Sequence, residues 1–235
     1  MSYTDIQTPD GIMRAYIAMP PNATKGAQNA PAIIMIQEIF GVNTEMREKC
    51  DDMAAKGYIA ICPDLFWRIE PGLDLVDSKP EELARAFELF GLFDTETGIA
   101  DLAATLKHVQ SMDECGGKVG CIGYCLGGKL AYMMAAHSDI DASIGYYGVA
   151  IETMLDDASK ITKPLLLHIA GADEFVPPEA QNTIIEALTD HPHTQTHRYD
   201  GMDHAFARGN GMHYNAEAAT LANNRSAEFL EKYLK

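Results

Sequence analysis

Gly123-Tyr124-Cys125-Leu126-Gly127-Gly128 follows directly on the apolar run Val119–Ile122. A thiol sits at the centre of a G-x-nucleophile-x-G turn, the spacing of a tight strand-to-helix bend that holds a nucleophile above the end of a sheet. Glycine two residues to either side has a steric reason, because a Cβ there meets the neighbouring strand or helix when the backbone bends so sharply. Leu126 to His137 then carries a helical pattern, so the sulfur lies at a helix N-terminus, where the dipole and free N–H groups favour a thiolate. Cys125 is the candidate nucleophile. Cys50, Cys62, Cys115 and Cys121 lack this setting and read as small buried hydrophobes.

Strand and helix patterns alternate on both sides of the turn. Before it, Thr4–Thr8 and Arg14–Met19 read as strands paired across Pro9-Asp10-Gly11. Pro31–Ile36 is a short unbroken apolar run suited to a central parallel strand. Asn43 caps a helix that runs to Lys56 and stops at Gly57, and Tyr58–Cys62 is the next strand. Leu65–Pro80 is irregular and rich in turn residues. Helical spacing follows over Glu81–Phe90 and Glu96–Gln110, in a segment placed to overhang a site. After the turn come strands over Ala142–Tyr146, Pro164–Ala170 and Gln195–Tyr199, with helices over Pro178–Thr189 and Asn215–Tyr233. The pattern predicts an α/β fold: one domain over residues 1–235, a mostly parallel sheet with helices on both faces, no large lid domain, and ligands at the carboxyl ends of the strands.

Composition narrows the function classes. Eighteen Lys and Arg against 34 Asp and Glu give a net charge of −16, which argues against a nucleic-acid partner, since phosphate binding needs cations. No basic-then-apolar leader and no long apolar run is present, so a soluble, unexported protein is expected. Five cysteines, an odd number in a chain of this length, point to reduced thiols in a cytoplasm rather than a disulfide framework. A monomer acting on a small molecule is the simplest expectation, with no membrane partner.

A thiolate nucleophile needs a base to manage its proton, and the base needs a partner that fixes its tautomer. Asp173 follows the strand Pro164–Ala170, and His204 follows Gln195–Tyr199, so both emerge at the sheet edge that carries Cys125. The chain order nucleophile, acid, histidine is that of the α/β-hydrolase fold. Among eight histidines, His213 is the rival in a loop after the last strand. Glu174 is the competing acid, while Asp203 adjoins His204 too closely in sequence to face its ring. Gln37-Glu38-Ile39-Phe40-Gly41 follows Pro31–Ile36, the place from which such a fold lends a backbone N–H to an oxyanion hole; Ile39 and Leu126 are the candidate donors. Glu38 then puts a carboxylate near the thiol, with a salt bridge or a helix-entry carboxylate as its alternative use.

Gln37–Asn43, Cys62-Pro63-Asp64-Leu65, Gly123–Gly128, Gly145–Val149 and His204–Arg208 together closely resemble dienelactone hydrolase, carboxymethylenebutenolidase, over roughly Thr8 to Leu234. The resemblance implies a Cys125-His204-Asp173 triad. It also implies that Glu38 keeps the thiol protonated at rest and helps to activate it, and that Arg208 grips the substrate's carboxylate. Phe40 and Tyr146 fall among the expected substrate contacts. The family enzyme carries a second carboxylate-binding arginine before the Phe87-Glu88-Leu89-Phe90 turn; here Leu83 stands at that position and Arg85 two residues on is the candidate replacement. Trp67 and Arg68 could also shape the pocket. The implied reaction opens a small anionic enol lactone, needing no metal or organic cofactor. A related carboxylesterase or thioesterase with another activated ester is the alternative, and a non-catalytic receptor or a thiol redox role fits the residues less well.

Overall fold

The computed structural model describes residues 2–21, 23 and 30–235. The elements in chain order are β1 (Ser2–Thr8), β2 (Gly11–Ala18), β3 (Ala30–Ile36), α1 (Thr44–Ala55), β4 (Ile59–Pro63), α2 (Pro80–Leu92), α3 (Thr95–Gln110) and β5 (Cys115–Tyr124). They continue with α4 (Leu126–His137), β6 (Ala142–Tyr146), a 3-10 helix (Ile151–Lys160), β7 (Leu165–Ala170), α5 (Pro178–Leu188), β8 (Thr194–Tyr199) and α6 (Ala216–Leu234).

The strands form a single sheet in the order β1-β2-β4-β3-β5-β6-β7-β8. β1/β2 and β2/β4 pair antiparallel, and every pair from β4/β3 to β7/β8 is parallel. The chain moves from β3 outward to β4 and then returns to place β5 on the other side of β3, so the order reverses between β3 and β5. That reversal opens a crevice at the carboxyl ends of these two strands, where α/β sheets bind ligands.

Both faces of the central strands are covered, which is why β3 reads as a continuous apolar run instead of an alternating one. Ile33 and Met35 belong to the core shared with Met46, Cys50 and Ala54 of α1 and with Phe229 and Leu230 of α6. Ile34 and Ile36, pointing the other way, belong to the core that holds Leu102, Leu106 and Val109 of α3. Local signals set the helix ends. Asn43 accepts the Met46 N–H at 3.1 Å and Asn215 accepts the Ala218 N–H at 3.0 Å, each filling an otherwise unpaired donor of a first turn. The expected α/β architecture is found. β5 begins four residues earlier than its apolar run, because Cys115 still pairs with Ala30. The 3-10 segment Ile151–Lys160 has no counterpart among the expected elements; its residues are half-buried or exposed, apart from the buried Ile151.

Candidate active site

Cys125 lies between the last residue of β5 and the first of α4 with φ 55° and ψ −114°, a backbone region that L-residues rarely enter. Such a conformation costs on the order of 1–3 kcal/mol and persists where the surroundings impose it. The glycines impose it here. A Cβ on Gly123 would lie 1.8 Å from the Gly127 carbonyl oxygen, and one on Gly127 would lie 2.4 Å from the Ile36 oxygen, so the strand, the turn and the helix meet in backbone contact. The Cys125 N–H donates to the Tyr146 carbonyl at 3.0 Å, tying the elbow to the end of β6.

His204, in the loop after β8, is buried, and its Nδ1 lies 2.7 Å from Asp173 Oδ2. Asp173 is buried too, and its Oδ1 accepts the Phe175 N–H at 2.9 Å, which orients the carboxylate toward the ring. The other ring nitrogen, Nε2, is buried without a hydrogen-bond partner among the described residues. Burial works against a charged ring, but the neighbouring Cys125 sulfur and the Asp173 carboxylate outweigh it and raise the His204 pKa to about 10. Phe175 and Tyr147 lie against the imidazole, with ring centroids 4.9 and 5.1 Å away. The competing residues are engaged elsewhere. His213 Nδ1 pairs with Asp203 Oδ2 at 2.9 Å, both side chains more than two-fifths exposed, while Asp203 Oδ1 accepts the His204 backbone N–H at 2.7 Å. Glu174 is exposed at the cavity mouth and Asp173 alone holds the ring.

Behind the cysteine is a buried charge cluster. Arg208 donates from Nε to Glu38 Oε2 at 2.7 Å and from Nη2 to Glu38 Oε1 at 3.0 Å, and from Nη1 to Asp77 Oδ2 at 2.6 Å. Its guanidinium carbon stands 4.7 Å over the Phe40 ring. Burial disfavours the cation, yet Glu38 and the other partners hold its pKa well above the usual arginine value. Glu38 therefore occupies the salt-bridge alternative in this structure, with both carboxylate oxygens on Arg208. Neither the Ile39 nor the Leu126 backbone N–H donates to another group among the described residues.

A cavity of about 180 Å³ joins these groups, lined by Cys125, His204, Ile39, Phe40, Asp77 and Arg208 and, toward its mouth, by Leu83, Phe87, Phe90 and Phe175. The irregular stretch and α2 do overhang it, as their position in the sequence suggests.

Two expected substrate contacts lie outside the cavity. Arg85 points away, its Nη2 2.6 Å from Glu70 and its Nη1 2.8 Å from Glu88; Leu83 lines the cavity instead. Residues two apart on a helix are about 200° apart around its axis, so both cannot face one site. Tyr146 is the other. Its ring packs 4.3 Å from His168 and its hydroxyl binds Ser226 Oγ at 2.7 Å and Asn223 Oδ1 at 3.0 Å, under α6. The next residue, Tyr147, is the one that reaches His204; it lies just past the end of β6 with φ 37°, and its ring remains 6.1 Å from that of Tyr146. Trp67 and Arg68 are also engaged away from the cavity, both on Asp101. Asp77, the second carboxylate on Arg208, carried no sequence signal, since it sits in an irregular loop. The cavity-facing stripe Leu83, Phe87, Phe90 did carry one, the i, i+4, i+7 spacing of a helix face.

Known proteins resemble the chain along nearly its whole length. A sequence model of the dienelactone hydrolase family matches residues 13–234. A protein of Azospirillum brasilense is 44% identical over 244 residues, covering 98% of this chain and 99% of its own length. The carboxymethylenebutenolidase of Pseudomonas putida is 40% identical over 226 residues, covering 96% of this chain and 94% of its own. A crystal structure from Klebsiella pneumoniae superimposes with a TM-score of 0.83 at 26% identity, covering 99% of this chain and 98% of that one. With nearly the whole chain matched, it belongs to the dienelactone hydrolase family and is a hydrolase acting on ester or lactone bonds.

Proposed function

We propose that the chain opens a small anionic enol lactone, dienelactone, to maleylacetate, through a Cys125-His204-Asp173 triad and an acyl-enzyme. The observation that carries the reading is the 2.7 Å Asp173–His204 bond, which leaves Nε2 unpartnered in the cavity that Cys125 enters from its elbow. With Nδ1 committed to the carboxylate, Nε2 is the nitrogen that holds the proton given up by the Cys125 thiol, and the raised His204 pKa keeps the two as a thiolate–imidazolium pair. The sulfur then attacks the lactone carbonyl carbon, and the developing oxyanion is met by the Ile39 and Leu126 N–H groups. Breaking the ring C–O bond expels an enolate, which takes the proton held by His204 as the ketone forms and leaves the imidazole neutral. A water deprotonated by His204 adds to the thioester carbonyl, the sulfur leaves, and the free carboxylate product departs.

A thiolate suits an enol lactone for a chemical reason. Thiolate is itself a good leaving group from the tetrahedral intermediate, so acylation goes forward only when the competing leaving group is better. An enolate meets that condition and a simple alkoxide or amine does not. Arg208, which lines the cavity beside Phe40, is the cation suited to the substrate's carboxylate, which takes the place of Glu38 or Asp77 on the guanidinium. The carboxymethylenebutenolidase relative supports the same substrate.

The test is hydrolysis of dienelactone followed by ultraviolet absorbance, with the wild type beside Cys125→Ala. Loss of the lactone with the wild type alone supports the reading. Turnover that survives in Cys125→Ala removes the nucleophile, and no turnover of dienelactone beside Cys125-dependent cleavage of an aryl acetate removes the substrate.

A further inference from the structure

α2 has two apolar faces with different fates. Ala86 and Leu89 are fully buried in the core, as a helix packed on a sheet requires. Leu83, Phe87 and Phe90 follow one another at i, i+4 and i+7 on a second face, and all three line the cavity that holds Cys125. Phe87 and Phe90 remain 44% and 40% exposed. Across the opening, Phe175 is 46% and Met212 62% exposed, and both line the same cavity. The Phe87 and Phe175 rings approach to 6.1 Å between centroids, and Phe175 also lies on the His204 imidazole. Large apolar side chains left open to water and gathered around one concavity mark a binding surface.

From this arrangement we infer that Leu83, Phe87, Phe90, Phe175 and Met212 form an apolar acyl subsite, which takes an alkyl or aryl group on the acyl side of the substrate. The inference rests on the Cys125 acyl-enzyme reading and adds the substrate class to it. The occupant follows from continuity: the apolar surface and the nucleophile line one cavity, so whatever fills the mouth is attached to, or adjoins, the carbonyl that Cys125 attacks. It is the acyl group that stays on the sulfur through both steps, and only that group benefits from a lasting contact. Its charge follows as well. Asp77, Glu174 and Asp203 line the cavity, and the one arginine among the lining residues already holds Glu38 and Asp77, so a second anionic group at the mouth is disfavoured and a neutral hydrocarbon is accepted. An unsubstituted lactone leaves the phenylalanines in water, whereas each methylene buried among them strengthens binding.

The experiment measures kcat/KM for p-nitrophenyl acetate, butyrate and hexanoate, keeping the leaving group constant, in the wild type, Phe87→Ser, Phe90→Ser and Cys125→Ala. The expected result is a rise of about tenfold or more from acetate to hexanoate in the wild type. That ratio falls to within about threefold of unity in each serine variant, and both substitutions fall on exposed helix positions that the fold tolerates. Cys125-dependent cleavage with a flat or falling chain-length series overturns the subsite, as does a rise that persists undiminished in both serine variants. Cleavage that continues in Cys125→Ala at the wild-type rate instead overturns the nucleophile reading, so the two failures are distinct.

Discussion

Arg208 and Glu38 face each other through two parallel N–H···O bonds, Nε to Oε2 at 2.7 Å and Nη2 to Oε1 at 3.0 Å, with both side chains about nine-tenths buried. The cation suited to a substrate carboxylate and the acid suited to influence the thiol are thus each other's partner in the free protein. Asp77 completes the cluster at 2.6 Å, leaving two carboxylates on one guanidinium.

Removing the cation strands both acids. Arg208→Met is expected to destabilise the fold by about 3–5 kcal/mol, the range for leaving a buried charge without its partner. Urea denaturation of the variant and of Arg208→Met/Glu38→Gln/Asp77→Asn checks it: the triple variant should recover most of the loss. A single-variant loss below about 1 kcal/mol would mean that the cluster is hydrated in solution.

The pH dependence of stability follows from His204. Its folded pKa, about 10, lies above the ordinary value of 6.5, so the folded state holds the proton more tightly than the unfolded chain. The resulting stabilisation is fully present below about pH 6.5 and is lost as pH rises through about 10. His168 acts oppositely, since burial lowers its pKa well below 6.5 and stability falls as the unfolded chain takes up that proton in acid. Comparing wild type with His204→Gln across about pH 6 to 10.5 cancels the His168 effect. The difference in unfolding free energy should shrink steadily over that interval, and an unchanged difference would exclude a charged imidazole.

The elbow predicts a stability order at two positions. Gly123→Ala places a methyl 1.8 Å from the Gly127 oxygen, a backbone overlap that no rotamer relieves, so the variant should lose several kcal/mol or fail to fold. Cys125→Gly removes the side chain that strains φ 55°, and it should be more stable than Cys125→Ala by about 1 kcal/mol, though equally inactive. Thermal unfolding monitored by circular dichroism ranks the variants. Equal melting temperatures for Cys125→Gly and Cys125→Ala would show the elbow to be unstrained.

Arg85 is expected to be dispensable. Its partners Glu70 and Glu88 are exposed, and such surface pairs contribute about 0–1 kcal/mol. Arg85→Ala should leave kcat/KM for dienelactone within about twofold of the wild type. A drop of tenfold or more, read as a rise in KM, would place this side chain on the substrate carboxylate after all.

The order of strands and helices and the elbow at Cys125 were legible in the chain because each depends on local rules. Apolar runs, caps at Asn43 and Asn215, and glycines at 123 and 127 dictate backbone shape within a few residues. The meeting of Asp173 and His204 was legible for a topological reason: parallel strands deliver the loops that follow them to one edge. Side-chain direction was not. Leu83 and Arg85 differ by two positions and face opposite sides of α2, and the adjacent, equally buried Tyr146 and Tyr147 end on different partners, so a small error in phase exchanges a cavity residue for a surface one. Asp77 lay beyond local reasoning altogether, since 131 residues separate it from Arg208 and no periodicity governs its loop. Near neighbours in the chain fix the backbone path, the turn that carries Cys125 and the sheet edge at which Asp173 and His204 emerge, because steric and periodic constraints act over a few residues. Which charges pair, and which apolar face of α2 stays open to the cavity, is set by the assembled molecule, because both depend on distances between segments that meet only when the sheet forms.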